Sequence, residues 1–136
     1  MPSITNESPL EKEHEMETVL VIDGPEHEPN YILLKDQLEN RAHIVYKSDI
    51  DSGEKEFSGD MRTGIVVVGA CIGSVVPNTQ DLVKRIKERP RVKIIAISAN
   101  KDFREEMICA GCTDACERME LAQVLSKIIE ELDKRI

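Results

Sequence analysis

Cysteine is the side chain of widest chemical range in this sequence, and three of the four cysteines are closely spaced, at Cys109, Cys112 and Cys116. The pattern Cys-x2-Cys-x3-Cys could hold a soft metal or form a redox pair, provided that the thiols converge. Cys71 stands apart, with no His or Arg beside it in sequence to favour the thiolate. Free cysteine is also among the most often buried residue types and packs as a small hydrophobe. The acidic N-terminus does not read as a signal peptide, so reduced thiols are expected rather than disulfides.

A second place where chemistry could sit is the end of Gly64-Ile65-Val66-Val67-Val68-Gly69-Ala70-Cys71-Ile72-Gly73. Four consecutive β-branched residues between glycines read as a strand buried on both faces, the condition of a central strand in a helix-covered parallel sheet. Ligands in such sheets bind at the carboxyl ends of the strands. Here that end offers Gly69, Ala70 and Cys71, with no carboxylate, hydroxyl or imidazole.

The elements that must position these residues alternate along the chain. Val19-Leu20-Val21-Ile22 is a buried strand ending at Asp23-Gly24. Pro29 suits a helix start, and Leu34 and Leu38, with Ile32 or Tyr31, give that helix an apolar face through Asn40. His43-Ile44-Val45-Tyr46 is a more polar strand, expected at an edge. Asp51-Ser52-Gly53-Glu54 resembles a capping box before a short helix near Phe57. After the central strand, Asn78 with Asp81 is expected to cap a third helix with Leu82, Val83 and Ile86 inward, stopping before Pro90. Val92 to Ile97 is a fourth strand, followed by a helix marked by Phe103, Met107 and Ala110 that stops at Gly111. A brief strand at Thr113 to Glu117 precedes a final helix, where Leu121, Val124, Leu125, Ile128, Ile129 and Leu132 follow the i, i+3, i+4 rule. Five β-α units predict a doubly wound, five-stranded parallel sheet of order 2-1-3-4-5. Cys109 then lies on a helix, Cys112 at a turn and Cys116 in a strand, so packing is the expected role of all three.

Composition narrows the function. A net charge of -8 argues against nucleic acid, and 3% aromatic residues leave little to stack on bases. No apolar run approaches the length of a membrane span. Residues 1–17 hold five Glu against one Lys and are expected to form a disordered acidic tail, with one domain over residues 18–136. The expected setting is the cytoplasm.

Taken in order, Val19-Leu20-Val21-Ile22-Asp23, Asn30 with the Leu34/Leu38 face, Ala42-His43-Ile44-Val45, Ile97-Ser98-Ala99 and Ala110-Gly111-Cys112-Thr113-Asp114 resemble the receiver domain of two-component response regulators. The resemblance implies a flavodoxin-like fold and, in working members, phosphoryl transfer from a histidine kinase to an aspartate ending the third strand. That chemistry needs an acidic pair that helps to hold Mg²⁺, a hydroxyl and a lysine around the acceptor.

The chain departs from this set where it matters. The acceptor position falls on Gly69, and the acidic pair on Asp23 and Gly24. The lysine position falls on Arg118, the hydroxyl on Ser98 and the switch aromatic on Ala115. What the resemblance implies is a degenerate, stand-alone pseudo-receiver without enzymatic activity. It would act as a phosphorylation-independent interaction module for a protein partner, a histidine kinase or another signalling component. No cofactor is expected, and Asp23 alone could hold Mg²⁺ only weakly. The outer face of the fourth helix, fifth strand and fifth helix is the expected partner surface. Arg118 is expected to pair with Asp23. Two alternatives stand beside this: a thiol-based redox or metal sensor using Cys71 or Cys109, Cys112 and Cys116, and a conventional phosphorelay receiver.

Overall fold

The structure, a computed structural model, describes residues 16–134. Five parallel strands form one sheet in the order β2-β1-β3-β4-β5. They are β1 (Glu17–Ile22), β2 (Ala42–Lys47), β3 (Thr63–Gly69), β4 (Lys93–Ile97) and β5 (Asp114–Cys116). The helices are α1 (Glu28–Gln37), α2 (Ile50–Gly59), α3 (Gln80–Ile86), α4 (Lys101–Ala110) and α5 (Leu121–Asp133), with 3-10 turns at Pro25–His27 and Arg118–Glu120.

The β-branched runs form the middle of the sheet because both of their faces are covered. Val19, Val21, Ile65, Val67, Ile95 and Ile97 meet α1 and α5 on one side. Leu20, Ile22, Val66, Val68, Ile94 and Ala96 meet α2, α3 and α4 on the other. The more polar β2 is an edge strand, paired with β1 alone.

Several boundaries differ from the sequence expectation for local reasons. β1 begins at Glu17, so this residue belongs to the sheet and not to the tail; residues 1–15 of the expected tail lie outside the described residues. Tyr31, not Ile32, turns inward on α1, and that helix ends at Gln37. The cap of α2 is Asp49, whose side chain accepts from Ser52 N at 2.8 Å, two residues before the Asp51 pattern. Thr79 occupies the N-cap of α3. Asn78 instead closes the preceding loop, accepting from Ile72 N at 2.9 Å and donating to Ile72 O at 2.8 Å. Gly111 ends α4 at φ 130°, a conformation that residues with a Cβ rarely adopt.

The register brings three loop origins together. Ile22 is level with Val68, and Gly69 with Ile97. Asp23, Gly69 and Ser98 therefore lie side by side at the carboxyl edge of the sheet.

Candidate functional site

Asp23 follows β1 directly and is 0% exposed. Burying a carboxylate is costly unless its oxygens are paired, and here both are engaged. Gly24 N donates to Oδ1 at 2.9 Å, and the Tyr31 hydroxyl of α1 donates to Oδ2 at 2.5 Å. From the turn after β5, Arg118 donates Nε to Oδ2 at 3.0 Å and Nη2 to Oδ1 at 3.3 Å. This is the forked geometry that suits guanidinium to carboxylate. A second tyrosine closes the cluster from the edge strand. The Tyr46 hydroxyl donates to Asp23 O at 3.1 Å and Gly24 O at 2.9 Å, and its ring stacks on Tyr31 with centroids 5.4 Å apart. Burial, and then the adjacent Asp23 charge, push the Tyr31 phenol far above its ordinary range.

Gly69 lies against this cluster. A Cβ at position 69 would stand 2.0 Å from Asp23 Oδ1 and 2.7 Å from its carboxyl carbon. The room that a side chain at the end of β3 would need is filled by the Asp23 carboxylate. Gly24 is similar in kind, with the Glu26 carboxylate 2.5 Å from where its Cβ would be. Glu26 is half-exposed and flexible enough to withdraw, whereas Asp23 is held from three elements.

The other positions are placed but not gathered. Ser98 is buried, and its Oγ accepts from Asn100 N at 3.1 Å, a contact local to its own turn. Its carbonyl accepts from Arg104 Nη1 at 2.9 Å. Ala115 is half-buried on the face shared with α4 and brings no aromatic ring there. The sequence reading placed Tyr31 on an apolar helix face and Tyr46 in a strand but assigned neither to the site. Their signal was that a Tyr on the buried stripe of a helix needs a partner for its hydroxyl.

The cysteines do not converge. Cys112 packs on the α2–α4 side of the sheet and Cys116 on the α1/α5 side, so the sheet itself stands between them. Cys109 is exposed on α4. Burial pushes the Cys112 thiol up to about 12 and the Cys116 thiol up to about 11. Cys71 is shifted up as well, first by burial and then by the Glu106 charge. Among the described residues no group of three or more His, Cys, Asp or Glu could hold a metal ion. None of their helices is long and apolar enough to cross a membrane.

Beside the cluster, a groove of about 300 Å³ runs between α1 and the start of α5, lined by Tyr31, Leu33, Leu34, Arg118, Met119 and Leu121. Leu33 and Met119 are large apolar residues at its rim, 58% and 92% exposed.

No protein-family model matches the chain, and no curated protein does. Solved structures do match. A response regulator receiver domain from Clostridium thermocellum is 18% identical, with a TM-score of 0.69 over 88% of this chain and 95% of that one. The receiver domain of the sensor histidine kinase PA1611 from Pseudomonas aeruginosa PAO1 is 19% identical, with a TM-score of 0.68 over 84% and 98%. A response regulator from Thermotoga maritima is 22% identical, with a TM-score of 0.66 over 85% and 98%. The chain has a flavodoxin-like fold. More narrowly, it is the receiver-domain form of that fold, which many of its structural neighbours share.

The Pseudomonas domain carries a magnesium ion coordinated in its active-site cleft. The donors of this chain do not suit such an ion. Both oxygens of Asp23 are already bonded, a guanidinium lies against them, and Gly24 and Gly69 supply no side-chain oxygen. Hard divalent ions ask for several oxygen ligands and for charge of the opposite sign.

Proposed function

We propose that this chain is a receiver-like signalling domain that takes no phosphoryl group and serves as a constitutive protein-interaction module. The single observation that carries this is the Asp23 carboxylate standing in the space of a side chain at Gly69. Phosphoryl transfer to a receiver needs an oxygen nucleophile at the end of β3 and a cation to neutralise the transferred group. Gly69 has no such oxygen, and Asp23 is committed to Arg118 and Tyr31. The domain is accordingly read as non-enzymatic and cytoplasmic, with a protein as its partner, a histidine kinase or another signalling component. Sensing through thiols draws no support from cysteines held on opposite faces of the sheet.

Incubation with a small-molecule phosphodonor and Mg²⁺, followed by intact-mass measurement, tests the proposal. The expected result is no added mass. A base-labile gain of one phosphoryl group on the unmodified protein would overturn it.

A further inference from the structure

We infer that the Arg118 guanidinium replaces the divalent cation of the receiver fold, and that the Asp23–Arg118–Tyr31 cluster is a metal-independent latch. The inference rests on the reading above, that this site accepts no phosphoryl group.

Charge is the first ground. Asp23 is fully buried, and a buried carboxylate needs a compensating positive charge in contact with it. Arg118 supplies that charge through two hydrogen bonds, from a side chain 21% exposed. With Gly at 24 and 69, the pair is balanced one to one, and the carboxylate left beside Gly24 is the exposed one of Glu26.

Geometry is the second ground. Asp23 leaves β1, Tyr31 belongs to α1, and Arg118 opens the 3-10 turn into α5. Three side chains thus link β1, α1 and the turn into α5 by hydrogen bonds alone. Tyr46 adds the edge strand by bonding the carbonyls of Asp23 and Gly24. The latch also sets one wall of the adjacent groove, since Tyr31 and Arg118 both line it.

Consequently, the wild-type domain should be indifferent to divalent cations, whereas removing Arg118 should create a need for one. Thermal melts of wild type, Arg118→Lys and Arg118→Met, each in chelator, in Mg²⁺ and in Mn²⁺, test this. The wild-type Tm is expected to be the same in all three conditions. Arg118→Met should lose about 10 °C in chelator, because it leaves a buried carboxylate without its partner. Mn²⁺ or Mg²⁺ should restore part of that loss, with Glu26 free to swing in as a second oxygen donor. Arg118→Lys should fall between, with a weaker cation response, because ammonium keeps the charge but not the fork.

Equal stabilisation of wild type and Arg118→Met by the ions would overturn the inference, as would an Arg118→Met Tm unmoved in chelator and unaffected by them. If Arg118→Met does not fold, Asp23→Asn/Arg118→Met, which removes both charges, decides the matter. It should fold and melt above Asp23→Asn alone, and failure to do so would also overturn the inference. A phosphoryl adduct on the wild type would bring down the functional reading instead, which separates the two failures.

Discussion

Asp23, Gly69, Arg118 and Tyr31 are interdependent, and each can be changed singly. A methyl group at position 69 meets the Asp23 carboxylate at 2.0 Å, and that carboxylate cannot yield without breaking its bonds to Arg118 and Tyr31. Gly69→Ala is expected to destabilise the domain by roughly 1–3 kcal/mol, the scale of overpacking in a filled core. Urea denaturation measures this, and an unchanged midpoint would mean that Asp23 has room to move. Tyr31→Phe removes one donor from a buried charge and should cost about 1.5–3 kcal/mol. The raised phenol has a pH signature too. A group whose folded pKa lies above its unfolded value gives stability that is complete below the unfolded pKa and lost as pH rises through the folded one. Tyr31 should therefore stay protonated through the range near pH 10 where free tyrosine ionises, and stability should decline only above it. Ultraviolet titration of Tyr46→Phe isolates the Tyr31 signal, and an ordinary midpoint would contradict the packing described. In the sequence, Asp23 was legible as the end of the first strand, and Arg118 through the receiver resemblance. Tyr31 was legible only as an apolar-face residue, because nothing local says where a hydroxyl eight positions from Asp23 will point.

At the scale of elements, long β-branched runs and the last helix were readable because their patterns repeat. The caps were not, because several polar residues sit within reach of each helix start. Asp49 precedes α2 and Asp51 lies in its first turn, and only the turn geometry makes Asp49 the acceptor for Ser52 N. Asn78 and Thr79 compete likewise before α3, with Asn78 spent on the loop and Thr79 Oγ1 donating to Gly69 O at 2.9 Å. The cysteine spacing was suggestive in one dimension and is undone in three. A strand places Cys116 on one face of the sheet, and the turn after α4 delivers Cys112 to the other. Thiol labelling of the native protein should reflect this. Cys109 is expected to react quickly and Cys71 slowly, while Cys112 and Cys116, raised to about 12 and 11, should react only on unfolding. Rapid labelling of all four thiols in the folded state would contradict the placement.

For the whole molecule, strand order and layering followed from the alternation of strands and helices, since crossover connections leave few arrangements of five parallel strands. What could not be read was whether the glycines at positions 24 and 69 leave an open pocket or a filled one. That depends on α1 and the distant turn before α5 meeting around a single carboxylate. Among the described residues the core runs from Val19 to Ile129, and deleting residues 1–15 is expected to leave the Tm nearly unchanged. A fall of several degrees would show that the segment contributes to the fold. We propose that the carboxyl edge of this receiver-like sheet, occupied by its own ion pair, answers to neither cation nor phosphoryl group. An amide ¹H–¹⁵N spectrum, recorded with and without Mg²⁺ and beryllofluoride, tests that claim most directly. The predicted result is superimposable spectra, including the amides of Gly24, Gly69 and Arg118. Saturable shifts centred on those amides and spreading into β4, β5 and α4 would contradict it.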